Sequence, residues 1–163
     1  MILLSKMSRI FLALTPDSEL TNLISNLKKR QKHFSLKNST ISWAEENDYH
    51  ITVNFVGSME PEQKEEMFIA LENKSKLKKL PIEISHLSYF PNENSQVFVA
   101  NINLSPRLQQ LYDEVEKIVI RIGFGMTLKL YKPHISLARF KEKTRPFSEI
   151  IELEKPISST MNS

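Results

Sequence analysis

Residues 49–57, YHITVNFVG, place a histidine at the head of an apolar run that ends at a glycine. Residues 131–140, YKPHISLARF, contain nearly the same phrase, so both stretches read His-Ile-(Thr or Ser)-apolar. Each stretch predicts a β-strand, in which residues i and i+2 point to the same face. The histidine and the hydroxyl residue of each phrase should therefore project together, His50 with Thr52 and His134 with Ser136.

Two such pairs facing each other across a cleft would supply an acid–base pair and two hydroxyl donors. One imidazole can take a proton from an attacking oxygen while the other protonates the leaving oxygen, and an unperturbed pKa near 6.5 suits both roles. The hydroxyls can hold the non-bridging phosphate oxygens, where negative charge concentrates. The pattern therefore predicts phosphoryl transfer at a phosphodiester, with no metal required.

The alternative is that each histidine is only a core residue bonded to the backbone, which is the commoner role of a histidine in an apolar strand. Residues 85–90, SHLSYF, show how weak the local pattern is, because His86 also stands two residues before a serine, Ser88. The phrase becomes informative only as a pair and in its context.

The composition bounds the class of protein. A chain of 163 residues can form one domain or two closely packed lobes. The absence of cysteine excludes disulfides, a thiolate nucleophile and a thiolate zinc site. The four histidines form no close cluster with Asp or Glu that would predict zinc. A net charge of +3 permits a polyanionic partner without arguing for one.

The first residues, MILLSKMSRIFLAL, do not resemble a secretion signal. Ser5 and Lys6 interrupt the first apolar run, and Pro16 and Asp17 end the second. Since no apolar run reaches the length that crosses a bilayer, we expect no membrane association and a cytoplasmic location. Residues 1–6 are expected to be dispensable, with Met7 a candidate natural start.

Apolar periodicity and turn signals predict alternating strands and helices. The predicted strands are residues 9–14, 40–44, 50–57, 81–90, 96–104 and 134–140. Three helices should begin after Thr15 as N-cap, at Pro61 and after Ser105. The first should expose Lys28 and its basic neighbours, and the second should bury Met67, Phe68 and Leu71. Connections of hairpin length predict an α+β fold with mainly antiparallel sheets.

Three segments together resemble the two-histidine phosphoesterase superfamily: SRIFLAL (8–14) followed by Pro16, Trp43 seven residues before His50, and KPHISLARF (132–140). Within it, the chain is most similar to the bacterial and archaeal RNA 2′,3′-cyclic phosphodiesterases, often called 2′-5′ RNA ligases. The resemblance implies a bilobed, pseudo-twofold fold with two mainly antiparallel sheets, helices packed outside and a central cleft. Residues 1–163 would form one domain, with motif 1 in 50–53 and motif 2 in 134–137.

The resemblance also implies roles for particular residues. His50 and His134 would be the catalytic pair. Family analogy favours His134 as the general base and His50 as the general acid. The expected phosphate-binding residues are Thr52, Ser136 and Arg139. Arg139 has the alternative role of a surface arginine that closes a strand. Tyr131 is a candidate for stacking on a base, whereas Trp43 is expected in the core.

The implied activity is metal-independent hydrolysis of RNA or nucleoside 2′,3′-cyclic phosphate to the 2′-phosphate, with weak reverse 2′-5′ ligation and no cofactor. The partners would be RNA ends or nucleotides that carry a 2′,3′-cyclic phosphate. One alternative is a related phosphodiesterase for another cyclic or 2′-5′ nucleotide. The other is a non-catalytic RNA-binding module. The basic residues 28–33, KKRQKH, are expected to be solvated rather than bound to RNA, and the oligomeric state stays open.

The chain departs from the family pattern in three places. His86-Leu87-Ser88 replaces a common Gly-Leu-Gly, which makes His86 a poor catalytic candidate, and Ser136 replaces a threonine but keeps the hydroxyl. After Phe140 a short helix is predicted over residues 147–153 and a loose tail over 156–163. Family members usually continue with another strand after the region that matches EIIELEKPISS (149–159), and this strand is expected to be absent here. Residues 154–163 or a second molecule should then cover the open sheet edge.

Overall fold

A computed structural model describes residues 8–34, 41–72, 80–141 and 150–162 of the chain. Its strands are β1 (Ser8–Pro16), β2 (Ile41–Trp43), β3 (Ile51–Met59), β4 (Leu80–Phe90), β5 (Val97–Ile102), β6 (His134–Phe140) and β7 (Ile150–Asn162). Its helices are α1 (Ser18–Phe34), α2 (Pro61–Glu72) and α3 (Pro106–Arg121), with a 3₁₀ turn at Glu46–Asp48. This alternation confirms the predicted α+β class. None of the helices in the described ranges combines the length and the hydropathy needed to cross a membrane.

The strands form two antiparallel sheets that meet at one short ladder. The hydrogen-bonded order is β2-β6-β5-β4-β7-β1-β3, and each described pairing is antiparallel. The ladder between β7 and β1 joins only Thr15 to Asn162 and Pro16 to Met161. A sheet of β2, β6, β5, β4 and β7 is thereby joined at a corner to the β1–β3 pair, as the antiparallel prediction requires.

The two motif strands lie near opposite ends of this order. His50 comes directly before β3, and His134 is the first residue of β6. Strand β2 pairs with β6, and the chain then passes through the 3₁₀ turn to His50. Residues 41–50 therefore connect one motif to the other.

The caps of two helices follow local side-chain chemistry. Asp17 Oδ1 accepts a hydrogen bond from the Leu20 N–H at 2.9 Å, so α1 begins after Asp17. The prediction of Thr15 as the N-cap is wrong because β1 continues through Pro16. Ser105 Oγ accepts from the Leu108 N–H at 3.2 Å and caps α3 as predicted.

The core confirms most of the helical periodicity, with two corrections. Most apolar residues at helical spacing are buried in α1 and α3, namely Leu20, Ile24 and Leu27 in α1 and Leu108, Val115, Ile118 and Val119 in α3. In α2, Met67 is buried and Leu71 packs against the core as predicted, whereas Phe68 is 68% exposed and Ala70 is buried instead. Lys28 was expected in water but is only 8% exposed.

The segment after residue 149 is a strand, which contradicts both the predicted short helix and the loose tail. Strand β7 lies between β4 and β1, with Ile150 to Glu152 and Ile157 to Met161 paired to β4. Pro156 falls in the irregular stretch between these ladders, where a residue without an N–H is tolerated. Residues 157–162 therefore pair with β4 and β1, as expected if residues 154–163 cover the sheet edge. Residues 1–7 and 147–149 lie outside the described residues.

Candidate active site

Both motifs open onto one cleft of about 550 Å³. Residues 42–55 and β4 to β6 contribute its walls, and the lining residues are Ser42, Trp43, Ala44, Asp48, His50, Thr52, Phe55, Phe90, Val97, His134, Ser136, Ala138 and Arg139. The structure thus brings together the two histidines, the two hydroxyl residues and the arginine that the sequence singled out. Trp43, expected in the core, is half-buried and contributes to the lining.

The backbone holds the two histidine rings in the same way. His50 Nδ1 lies 2.6 Å from the Asp48 carbonyl oxygen, and His134 Nδ1 lies 2.8 Å from the Lys132 carbonyl oxygen. A carbonyl oxygen can only accept, so each Nδ1 carries the proton and donates it. The Nε2 atom of each ring is then the nitrogen left for proton transfer, as a lone pair in the neutral form or an N–H in the charged form.

Each histidine also contacts a phenylalanine from another strand, Phe90 of β4 or Phe11 of β1. The Phe90 ring stacks on His134, with centroids 3.8 Å apart and an interplanar angle of 28°. The Phe11 ring is tilted by 35° against His50, with centroids 5.2 Å apart. These rings restrict the rotation of both imidazoles and leave them apolar on one side.

The electrostatics of His134 favour its neutral form. Burial lowers the pKa of His134 most, and the nearby His50 lowers it further, while the bond to the Lys132 carbonyl partly opposes them. A neutral imidazole can accept a proton at Nε2. His134 therefore has the protonation state that a general base requires.

The two motif strands share an irregularity directly after the hydroxyl residue. In β3, Ala13 pairs with Thr52 and Leu12 with Asn54, which leaves Val53 as an extra residue. In β6, Val99 pairs with Ser136 and Phe98 with Ala138, which leaves Leu137 as an extra residue. A β-bulge of this kind shifts the alternation of side chains by one position.

The bulges decide which later residues reach the cleft. Phe55 and Arg139 each lie three positions after the hydroxyl residue, where strict alternation would turn them away from it. Both are exposed and both line the cleft. Sequence reasoning missed Phe55 for this reason, and it missed Phe11 and Phe90 because neither lies near His50 or His134 in the sequence.

Tyr131 lies outside the cleft lining, so the structure gives no support to its expected role in stacking on a base. Its ring stacks on Tyr112 with centroids 4.3 Å apart, and its buried hydroxyl has no hydrogen-bond partner within the described part of the chain. Burial accordingly raises the pKa of Tyr131. A ring already stacked within the protein and outside the cleft lining is not available to a nucleobase there.

His86 lies outside the cleft lining, as predicted. It belongs to β4, and its Nδ1 lies 2.8 Å from Ser85 Oγ. Across residues 8–34, 41–72, 80–141 and 150–162, no three His, Asp or Glu side chains gather in a group that would hold a metal ion.

Comparison with known proteins adds a family to this geometry. The family model described as LigT like Phosphoesterase matches residues 14–100, just over half of the chain. An RNA 2′,3′-cyclic phosphodiesterase of Methanocaldococcus jannaschii is 26% identical over 133 residues, which cover 82% of this chain and 72% of that protein. A protein of the same name from Geobacillus stearothermophilus is 26% identical over 160 residues, covering 97% of this chain but 50% of that protein.

Solved structures share the fold at low sequence identity. The protein TT0787 of Thermus thermophilus superposes with a TM-score of 0.78 at 18% identity, covering 94% of this chain and 84% of that one. Escherichia coli LigT complexed with 3′-AMP gives a TM-score of 0.70 at 17% identity, covering 96% and 84%. With the family match over residues 14–100, the chain belongs to the LigT-like phosphoesterase family.

Proposed function

We propose that this protein hydrolyses the 2′,3′-cyclic phosphate of RNA ends or nucleotides to the 2′-phosphate, without a metal or cofactor. The observation that carries the proposal is the pair of histidines on one cleft, each with Nδ1 donating to a carbonyl and Nε2 left for chemistry. The names of the relatives from M. jannaschii and G. stearothermophilus support the same substrate class.

In the proposed reaction, water attacks the phosphorus on the side opposite the 3′-oxygen. His134 Nε2 takes a proton from this water, and the new P–O bond forms as the bond to the 3′-oxygen breaks. His50 Nε2 gives its proton to the departing 3′-oxygen, which leaves a 3′-hydroxyl and a 2′-phosphate. The lowered pKa of His134 is the reason for making it the base, which leaves the acid role to His50.

Three further side chains would stabilise the phosphate in this scheme. The hydroxyls of Thr52 and Ser136 would donate to the non-bridging oxygens, where charge builds up in the transition state. Arg139, exposed at the cleft, would add positive charge to the same oxygens. The motifs at 50–53 and 134–137 would thus act as two halves of one site in a single domain.

The same groups would also run a weak ligation. If a 5′-hydroxyl takes the place of water, its attack on the cyclic phosphate leaves a 2′-5′ phosphodiester. We propose this as a minor activity, since water competes for the same position.

The decisive experiment offers the protein 2′,3′-cyclic nucleotides, a short RNA with a 2′,3′-cyclic end, 3′,5′-cyclic nucleotides and 2′-5′ dinucleotides, each in excess EDTA. We expect turnover of the first two, with the 2′-phosphate identified by phosphorus NMR. Dependence on an added divalent metal would contradict the mechanism. Preference for one of the other substrates would favour a related phosphodiesterase, and RNA binding without any turnover would favour a binding module.

Substitutions at the histidines test the assignment within the same assay. His50→Ala and His134→Ala should each lower kcat by about 10²-fold or more, because each removes a general acid or base. The double variant should be little worse than the poorer single one, because the two groups act as a unit. His86→Ala is the matched control and should keep nearly full activity. If His86→Ala lowered kcat more than either of the other two substitutions, the assignment of the active site would be wrong.

A further inference from the structure

Helix α1 contacts the segment that connects the two motifs. Lys28 Nζ donates a hydrogen bond to the Ala44 carbonyl oxygen at 2.8 Å and lies 5.4 Å from the centroid of the Tyr49 ring. One turn earlier, the hydroxyl of the buried Ser25 donates to Glu46 Oε1 at 2.7 Å. Two residues of α1 therefore hold residues 44–49 at their beginning and in their middle.

The same segment is tied directly to both half-sites. The Ala44 N–H donates to the carbonyl oxygen of Leu137, the extra residue of the bulge in β6, at 2.9 Å. At the other end, the Asp48 carbonyl accepts the bond from His50 Nδ1. The peptide groups of Ala44 are thus bonded on one side to α1 and on the other to the strand of His134. The position of Asp48, and with it the ring of His50, follows from where this segment is held.

A lysine is an unusual choice for this contact, because its side chain is only 8% exposed. Moving a charge out of water is costly. Among the described residues, the groups that compensate the Lys28 ammonium are one carbonyl oxygen and the face of one aromatic ring. An apolar side chain of similar length would fill the same space at a lower desolvation cost. What the ammonium adds is a directed hydrogen bond that fixes the Ala44 carbonyl in one place.

We propose that Lys28, assisted by Ser25, is a positioning residue that sets the placement of His50 relative to His134. The inference rests on the proposed acid–base reaction, in which both Nε2 atoms must reach opposite sides of one phosphate. A displacement of about 1 Å in such a geometry can lower the rate by about 10²-fold. Lys28 acts only through the backbone of residues 44–49, since it does not line the cleft.

The test compares Lys28→Met with Lys29→Met, which removes the adjacent, exposed charge of the same helix. With a 2′,3′-cyclic nucleotide, Lys28→Met should lower kcat by about 10- to 100-fold and change KM much less, because the transition state needs the alignment more than binding does. Lys29→Met should keep wild-type kcat and KM. Thermal unfolding should show Lys28→Met folded, with a Tm close to that of the wild type.

Further measurements keep the proposal falsifiable. Ser25→Ala removes only one hydroxyl and should lower kcat by about 3- to 10-fold. This variant therefore tests the positioning role if Lys28→Met does not fold. Wild-type kcat in a folded Lys28→Met, or in Ser25→Ala when the lysine variant is unfolded, would overturn the proposal.

If the wild type turns over no cyclic nucleotide, the proposed function fails, yet the positioning can still be read by NMR. The imidazole resonances of His50 should then shift in Lys28→Met and stay unchanged in Lys29→Met. Unchanged His50 resonances in both variants would overturn the positioning role independently of activity.

Discussion

The ring of His134 shows how a few neighbours set the chemistry of one residue. The Lys132 carbonyl fixes its tautomer, and the Phe90 ring covers one face at a centroid distance of 3.8 Å. Burial lowers the pKa of His134, which keeps the ring neutral to a lower pH than a solvated histidine. A base with a lowered pKa is competent over a wider acidic range, so activity should persist below about pH 6.5.

Phe90→Ala tests this cause. Removing the stacked ring lets water reach His134, so the pKa of His134 should rise towards its ordinary value. Because the base must be neutral, the acidic limb of the kcat/KM profile should move to higher pH, and activity should fall more at pH 5.5 than at pH 7.5. The pH profile and an NMR titration of His134 measure this shift. A limb that stays in place or moves to lower pH would show that Phe90 does not govern the titration.

At the scale of elements, two β-bulges shape the site. The extra residues Val53 and Leu137 follow the hydroxyl residues of β3 and β6, and each turns the residue two positions later towards the cleft. The two strands therefore present different groups at equivalent places, the exposed ring of Phe55 in one and the guanidinium of Arg139 in the other. Phe55 is 76% exposed and lies 6.1 Å from the Phe11 ring, which leaves an aromatic surface beside His50.

We expect this surface, rather than Tyr131, to stack on the base of a nucleotide substrate. Since stacking of a base on an aromatic side chain is worth about 1–3 kcal/mol, Phe55→Ala should raise KM by about 5- to 150-fold for a 2′,3′-cyclic nucleotide. Phe68→Ala is the matched control, because Phe68 is similarly exposed on α2 but does not line the cleft. Steady-state kinetics decide the point. Equal KM values for the two variants would show that the nucleotide base does not stack on Phe55.

At the scale of the whole molecule, β7 joins the two sheets. It pairs with β4 along most of its length and with β1 at Thr15 and Pro16. Without it, β4 would become an open edge with unpaired N–H and C=O groups. The β1–β3 pair would also lose its ladder to the larger sheet, although this ladder places one motif strand relative to the other.

Deletion of residues 154–163 should therefore lower both stability and activity. We expect a lower Tm and concentration-dependent association, because an exposed edge strand pairs with other chains. Light scattering across protein concentration and thermal unfolding measure these effects, with the full chain as the control. A monomeric truncated protein with an unchanged Tm would show that β7 is not needed to hold the sheets together.

The sequence by itself determined much of this protein. The alternation in 50–57 and 134–140 predicted two strands with a histidine and a hydroxyl on one face, and the shared cleft confirms their placement. The apolar periodicity was sufficient to predict α1 and α3 and their buried apolar residues, because it depends on neighbouring residues alone. The α+β class followed from the order of these elements.

Only the tertiary structure decided the rest, because it depends on pairing between distant residues. The bulges arise from the register of β3 against β1 and of β6 against β5, so local alternation turned Phe55 the wrong way. Strand β7 forms through backbone bonds to β4 and β1, which its polar, proline-containing sequence does not signal. Lys28 is buried because α1 packs against residues 44–49, a contact that helical spacing within α1 cannot reveal.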